Sequence, residues 1–581
     1  MASKPEGGTR SVPDAAALVT RATGLHRAGQ HADAERDYLR ALDLDSCSRA
    51  ALHNLGILYM EVGKYPAAVA MYRRLAARFP GDPVVLSNLG RALLLAGDVT
   101  DALRTLERAA AHAGATADTF NTLGIARSRS GDGEGAADAF GQALAVRPDF
   151  TEALSNLVDA RLAQHRFTEA LVATDALLGR VPGHAGATFK KAYVLALIGE
   201  LDAARALTLD VLRAHPGHVP AHNNLGAIAT WRNDLAGAIG HFEDALRLQP
   251  GSADAETGLA HALLARGDFE RGWWHYEARP AGVRCLGTQP GLRGRIWNGE
   301  ALPHGSLLVF GEGGLGDVLQ FCRLVPLARA RVGRLLLHLA PAYAPLARLL
   351  RALDGVDEIV VAPQSVEGCD AQVSVMSLPY LCWRDLGRAP TPIPFLAIDR
   401  ELVDAWRSRV RDRAALRVGL AWSGNPRLGN VEANTIDRRR SMPLATLRPL
   451  FDVPDVAWYS LQKGDAAGEL AQAPFAARIT DLTADLSDFA DTGALVEQLD
   501  LVICVDTSVL HLACALGKPT WMPNRFDACW RWGPERTDAP WYPTLRMFRQ
   551  RTFGDWAPVV ADIAHALARE AGAAAADRRR H

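Results

Sequence analysis

The sequence has no excess of either charge: 64 Lys and Arg stand against 65 Asp and Glu, for a formal net charge of −1. A chain without a basic field has no global means of gathering nucleic acid or anionic lipid, so any anion site has to be local. A cysteine framework is missing too. Cys47, Cys285, Cys322, Cys369, Cys382, Cys504, Cys514 and Cys529 form no Cys-x-x-Cys pair, which argues against a zinc site and a disulfide scaffold and fits a reducing compartment. No stretch approaches the ~18 uninterrupted apolar residues of a membrane span, and the opening residues, MASKPEGGTRSVPD, lack the apolar core of a targeting peptide. A cytoplasmic protein is expected. The polar, highly charged profile of disordered chains is also absent, since 49% of residues are hydrophobic and 22% charged. The 581 residues call for several domains, at roughly 100 to 200 residues each.

What is present first is a repeat of 34 residues. Asn54-Leu55-Gly56 returns as Asn88-Leu89-Gly90, Thr122-Leu123-Gly124 and Asn224-Leu225-Gly226. In the same frame stand Ala34, Ala68, Ala102, Ala136, Ala170, Ala204, Ala238 and Gly272, followed four residues later by Tyr38, Tyr72, Leu106, Phe140, Thr174, Thr208, Phe242 and Tyr276. Pro80, Pro148, Pro182, Pro216 and Pro250 close five units. The pattern resembles the tetratricopeptide repeat: two antiparallel helices, a small residue where they approach, an aromatic filling the gap, and a proline ending the second helix. About eight units over residues 15–280 are expected to stack as an α-solenoid whose concave face takes a protein partner, the alternative being a spacer or dimerisation scaffold. The last unit, Phe269 to Tyr276, is unusually aromatic and reads as a cap that docks on the second half.

Helical periodicity stops in the Pro- and Gly-rich segment 281–305, read as a linker. Beyond it, short apolar runs alternate with helical patterns. Strands are expected at Ser306–Phe310, Arg334–Leu339 and Glu358–Val361, then, after the Pro-rich connection Ala389–Pro394, near Arg417–Trp422, Ala457–Leu461, Leu501–Val505 and Pro519–Met522. This is an α/β pattern in two Rossmann-like halves, residues 306–395 and 400–572, the layout of a GT-B glycosyltransferase. Ligands in such sheets sit beyond the carboxyl ends of the strands.

Three loops there carry polar chemistry. Gly311-Glu312-Gly313-Gly314-Leu315-Gly316 matches a dinucleotide fingerprint, but no acid follows Asp317 until Asp354, so the ribose ligand of an NAD site is missing. The loop instead brings backbone close to a substrate, with Gly313, Gly314, Gly316 and Gln320 as its acceptor-side residues and Asp317 opening a helix from Val318 to Ala330; Asp317 as a plain N-cap is the alternative. In the second half, Ser423-Gly424-Asn425 ends a strand, and Arg438-Arg439-Arg440-Ser441 precedes a helix around Pro443 to Leu450, a combination of cations and N–H groups suited to pyrophosphate. Lys463 is a weaker candidate of the same kind. The third loop, Asp506-Thr507-Ser508, leads into a helix on which Thr507 and His511 share one face. An N-cap Asp506 and a core His511 are the alternatives there.

The second half, over about residues 303 to 570, is similar to the bacterial heptosyltransferases of glycosyltransferase family 9. The matches are Gly316-Asp317-Val318-Leu319, Arg440-Ser441-Met442-Pro443 and Asp506-Thr507-Ser508 with His511. The resemblance implies Asp317 as general base on the acceptor hydroxyl, Arg440 on the donor phosphate, and Asp506, Thr507 and His511 on the nucleotide sugar. Ser508 departs from the family, where Gly is common, and the repeats are foreign to it. The fusion looks like a bacterial group with EQGLGD-type and DWRW-type segments, here Glu312 to Asp317 and Cys529-Trp530-Arg531-Trp532. The layout also resembles O-GlcNAc transferase, in architecture only. A nucleoside diphosphate sugar as donor substrate, a protein or glycan acceptor, no metal and no further cofactor are expected; a non-catalytic adaptor with a relic GT-B unit is the competing reading.

Overall fold

The computed structural model describes residues 14–279, 282, 295–362, 368–386, 393–410, 414–534, 536 and 538–578. The opening peptide, most of the 281–305 linker with Cys285, and most of the Pro-rich connection lie outside them. The chain divides into two compact units, Met1–Val194 and Leu195–His581. The division falls inside the repeat array and not at the Pro- and Gly-rich break.

Eight helix pairs run from Ala15–Arg27 and His31–Leu44 to Ala253–Arg266 and Phe269–Tyr276. The Asn-Leu-Gly signature has a steric cause. A Cβ on Gly56 would stand 2.7 Å from the Tyr72 ring, one on Gly124 2.5 Å from Phe140, and one on Gly226 2.7 Å from Phe242. The glycine therefore makes room for the large residue of the partner helix. A second feature of the frame was not read from the sequence: the turn inside every pair holds one left-handed residue. It is Gly29, Gly63, Gly97, Gly131, Gly199 and Gly267 in six pairs, and His165 and Asn233 in the others. Glycine is the ordinary occupant of that conformation, with Asn the commonest exception.

Two parallel sheets follow in the second unit. The first has four strands, β1 (Leu302–Phe310), β2 (Val332–Leu339), β3 (Glu358–Val361) and β4 (Ala371–Ser374), in the order β3-β2-β1-β4. The second has seven, β5 (Leu416–Ala421), β6 (Val456–Ser460), β7 (Ile479–Asp481), β8 (Leu501–Cys504), β9 (Thr520–Asn524), β10 (Asp538–Ala539) and β11 (Tyr542–Arg549), in the order β10-β11-β9-β8-β5-β6-β7, with only the β10–β11 pairing antiparallel. The seven expected strands are all present. The four others are short (β4, β7, β10) or broken by charge (β11), so apolar runs alone did not reveal them.

Two local expectations need correction. The helix forecast over 318–330 is three pieces, Leu315–Phe321, a tighter turn Cys322–Leu324 and Val325–Arg329, because Pro326 cannot continue the first. Arg438, Arg439 and Arg440 form the last turn of a helix, Val431–Arg440, which was not expected, and the helix expected after them is a 3₁₀ segment. The following 3₁₀ segment Leu444–Asp452 offers its first N–H to Glu469, at 2.6 Å. Cations and helix N–H groups are therefore not combined at that point.

The aromatic last repeat is packed into the α/β region. Trp273 is fully buried, with ring centroids 5.3 Å from Trp530, 5.8 Å from Phe321 and 6.4 Å from Trp541.

Candidate active site

The carboxyl ends of β1, β5, β6 and β8 open on a cleft of about 1620 Å³ within the second unit. The seventh and eighth repeats add Thr230, Trp231, Asn233, His261 and Tyr276 to its wall.

From the first sheet comes the glycine loop after β1. Gly313 has φ +77°, and its carbonyl accepts a hydrogen bond from the Tyr343 hydroxyl at 2.9 Å. Glu312 is held by a two-pronged ion pair from Arg279, 2.9 Å on each side, and by the Ser374 hydroxyl. Arg279 is itself buried against Glu277 and Ser377. Burial opposes its charge, but Glu277 and Glu312 raise it above the ordinary arginine value. The loop is thus anchored by the residues that end the repeats.

Asp317 lies in the first turn of Leu315–Phe321. Its Oδ2 accepts from the Gly314 N–H at 2.6 Å, and its Oδ1 takes an ion pair from Arg531. Burial opposes the charge on Arg531, yet Cys529, Asp317, Tyr276 and Asp506 together raise it above the usual value. Arg531 also donates to the Gln320 side chain. Gln320 is fully buried and does not line the cleft; its place is behind the loop, supporting Arg531. Gly316 is small for a reason: a Cβ there would stand 2.8 Å from His511 Cδ2, so the two opposing helices meet only through a glycine.

From the second sheet, Ser423, Gly424 and Asn425 follow β5 and line the cleft. Gln462 fixes that turn, accepting the N–H groups of Trp422 and Ser423 at 2.9 Å each. The Ser441 hydroxyl accepts the Gly424 N–H at 2.9 Å. Arg440 lines the cleft with its guanidinium engaged, bonded through Nη2 to Asp437 at 2.7 Å and through Nη1 to the Asp506 carbonyl at 2.7 Å. Lys463 likewise lines it, with Nζ on the carbonyls of Thr483 and Leu486. Arg439 is elsewhere, a correction to its expected phosphate role. It pairs with buried Asp527 at 3.0 Å, donates to the carbonyls of Ala196 and Leu197, and lies over the rings of Trp231 and Phe553.

After β8, Asp506, Thr507, Ser508 and His511 all line the cleft. Thr507 caps the helix Ser508–Ala515 without a side-chain bond, so the first N–H groups of that helix have no intrahelical acceptor. Burial works to raise the pKa of Asp506, but His511 and Arg440 outweigh it and hold the carboxyl below its ordinary value. Burial pushes His511 down to about 4 against the pull of Asp506, 3.9 Å away, so the imidazole is neutral near pH 7. Its Nδ1 is bonded to the Tyr542 hydroxyl at 2.9 Å.

The charge balance of the wall decides how an anion is held. Acids are at least as numerous as bases along the cleft, so there is no general positive field. Most of the cations are spent on partners. Arg427, on the exposed turn after β5, is different: among the described residues its guanidinium has no hydrogen bond or ion pair, and it reaches over the glycine loop, 3.1 Å from where a Gly314 Cβ would stand. Arg427, Arg531, Asp437 and Gln462 were not picked from the sequence. The Trp-Arg-Trp segment was the one signal that pointed to Arg531.

Comparison with known proteins fits this geometry. The tetratricopeptide repeat model matches residues 53–118, 121–174 and 156–219, and the model of glycosyltransferase family 9 (heptosyltransferase) matches residues 462–521. The chain carries both elements. The family 9 match takes in Lys463 and Asp506 to His511 but stops short of the Asp317 loop and Arg440. Protein FlbA of Caulobacter vibrioides is 28% identical over 591 residues, spanning 96% of this chain and 90% of that protein. Among solved structures, the tetratricopeptide protein YrrB is 18% identical with a TM-score of 0.28, covering 32% of this chain and 95% of that one. Pseudomonas aeruginosa pilF is 18% identical with a TM-score of 0.32, covering 36% and 94%. No helix of the described residues is long and apolar enough to cross a membrane.

Proposed function

We propose that the protein is a glycosyltransferase that moves a sugar from a nucleoside diphosphate donor to a hydroxyl of a protein or glycan acceptor, with the repeats recruiting the acceptor or a partner. The observation that carries this reading is the convergence, in one cleft, of the Asp317 loop from the first sheet with the Ser423–Asn425 turn and the Asp506–His511 element from the second. Uncapped N–H groups of the helix at Ser508 and the free guanidinium of Arg427 supply what a leaving diphosphate requires: donors aimed at developing charge without a metal. Arg440 acts one step back, positioning the Asp506 turn through its carbonyl. Neutral His511 serves as a hydrogen-bonding group beside the sugar.

Asp317 takes the proton of the acceptor hydroxyl in this scheme. Both its oxygens are engaged, so an acceptor hydroxyl has to displace the Arg531 contact, and the diphosphate is the natural second partner for Arg531. General-base help of this kind is worth roughly 10²–10⁴ in rate. The same locked pair is the specific observation in favour of the second reading, a binding module whose GT-B unit no longer turns over.

The test is a thermal-shift screen of the whole chain against ADP, GDP, UDP and CDP and their sugars, followed by sugar-release assays with the nucleotide that binds. Ligand at ~100 times its Kd stabilises by about 2.7 kcal/mol. A shift with one base that is reduced in Arg427→Ala and Asp506→Ala supports the donor site. Release that is lost in Asp317→Asn with donor binding kept supports the enzyme; binding without release supports the module; no binding by any nucleotide overturns both.

A further inference from the structure

The seventh and eighth repeats differ from the others at two positions that face each other across the helix pair. Following the 34-residue frame, the facing residues are Leu154 and Ala173 in the fifth repeat and Thr188 and Leu207 in the sixth. In the seventh they become His222 and His241, and in the eighth Glu256 and His275. The eighth repeat closes its polar pair directly, with Glu256 Oε2 2.6 Å from His275 Nδ1. The seventh does not. The Nδ1 atoms of both His222 and His241 are buried and have no hydrogen-bond partner. The two rings, with centroids 6.3 Å apart, are not hydrogen-bonded to each other.

We propose that His222, His241 and Asp244 form a site for a divalent transition metal of the zinc class. His241 and Asp244 are three residues apart on the helix Leu235–Leu248 and share a face, while His222 projects from the helix Val219–Trp231 that packs on it. One ligand atom from each of the three lies within 4.8 Å of the others, and His222 Nδ1 is 3.8 Å from Asp244 Oδ2. That separation is long for a hydrogen bond but close to the roughly 3.4 Å between ligand atoms that metal bonds of about 2.0–2.1 Å produce in a tetrahedron.

The tautomer of His222 points the same way. Its Nε2 lies 3.1 Å from the carbonyl of Pro216, which can only accept, so Nε2 carries the hydrogen and Nδ1 keeps its lone pair toward the cluster. A backbone carbonyl on the far nitrogen is the usual support of a metal-binding histidine. Two imidazoles and a carboxylate suit zinc, cobalt or nickel better than the oxygen-seeking magnesium or calcium. Arg205 and the ion pair of Arg247 with Asp244 Oδ1 work against a cation. They leave Asp244 Oδ2 available on the side of His222.

A second histidine group, His26, His31 and Glu61, differs in that His26 Nε2 is already bonded to Glu61 at 2.8 Å. It provides the control. The experiment titrates Zn²⁺ into the full-length, tag-free, metal-stripped chain in competition with a chromogenic chelator. The wild type and His26→Ala are expected to withdraw one equivalent, and His241→Leu and Asp244→Asn to bind it more than about tenfold more weakly, the least that even outer-shell changes cost. Leu stands at the equivalent position 207, so His241→Leu is a residue the frame accepts; Asp244→Asn keeps size and guards against misfolding of the other variant. Cobalt provides the second readout, because its visible absorption when bound is expected to be altered in Asp244→Asn and lost in His241→Leu. No zinc withdrawn by the wild type, or equal affinity in wild type, His241→Leu and Asp244→Asn, overturns the proposal.

Discussion

In the unit that ends at Val194, repeat residues pack on repeat residues: Tyr72 on Gly56, Leu106 on Gly90, Phe140 on Gly124. In the unit that begins at Leu195 the same frame persists, with Phe242 on Gly226 and Gly258, but other positions are given over to the α/β region. Trp273 is buried among Phe321, Trp530 and Trp541; Asn233 donates to the Phe526 carbonyl; Ala196 and Leu197 receive Arg439. One repeat architecture thus packs on itself in the first unit and lines the cleft in the second. The difference lies in a few side chains and not in the helices.

The largest expected effect comes from removing Trp273. Trp273→Ala empties a site with no exposed surface and should lower the stability of the second unit by about 3–5 kcal/mol, while Tyr72→Ala should place its loss in the first. Hydrogen exchange with mass spectrometry reads the two units separately. Loss of protection spread equally over both by either variant would break the comparison.

Next in size is Asp527→Ala. Asp527 is buried between two guanidinia, Arg439 at 3.0 Å and Arg525 at 3.1 Å, and truncating the acid leaves both without a counter-charge. A cost of about 3 kcal/mol or more follows, and adding Arg439→Met should recover the Arg439 share of it while Arg525 stays unpaired, because a buried charge replaced by an apolar group no longer needs its partner. Chemical denaturation of the two variants checks the sign. If the double variant is as unstable as Asp527→Ala, the contact is not an ion-pair clamp.

Acid should also act on the second unit. His511 and His261 are both pushed down to about 4, chiefly by burial. The unfolded chain takes up these protons near 6.5 and the folded one only near 4, so the unfolded state binds more protons between those values and stability falls as pH drops through that window. Urea midpoints at pH 7 and pH 5 should therefore differ, and His511→Gln, which takes no proton, should flatten the change.

The sequence carried the repeat frame because its rule is local and periodic, a glycine, an alanine and an aromatic at fixed offsets, but not the left-handed turn inside each pair. It carried the sheet strands where burial on both faces produces an apolar run, as in β8, and missed β7, which is only three residues long, and β11, where charges interrupt the run. The cleft lining was legible where a loop follows such a strand, hence Asp317, Ser423 and Asp506. It was not legible where a partner arrives from far along the chain. Arg531 meets Asp317 across 214 positions, and nothing in the Arg438–Arg440 run tells which guanidinium turns to the cleft and which is sealed under Trp231.

The smallest effect separates the units at a single position of the frame. Gly131 and Gly199 are the same left-handed turn residue, at φ +87° and +94°. A Cβ on Gly131 meets nothing within 4 Å, whereas one on Gly199 would stand 2.5 Å from the Phe553 ring. Asparagine adopts this conformation at Asn233, so Gly131→Asn should cost about 1 kcal/mol or less, the conformational part alone. Gly199→Asn carries that same part and must also displace Phe553, for roughly 1–3 kcal/mol more. Since the backbone contribution is common to both, the difference between the two variants in denaturant midpoint measures the contact between the repeat turn and the C-terminal lobe. Equal costs would mean that Phe553 yields freely and that its contact with the repeat turn contributes little.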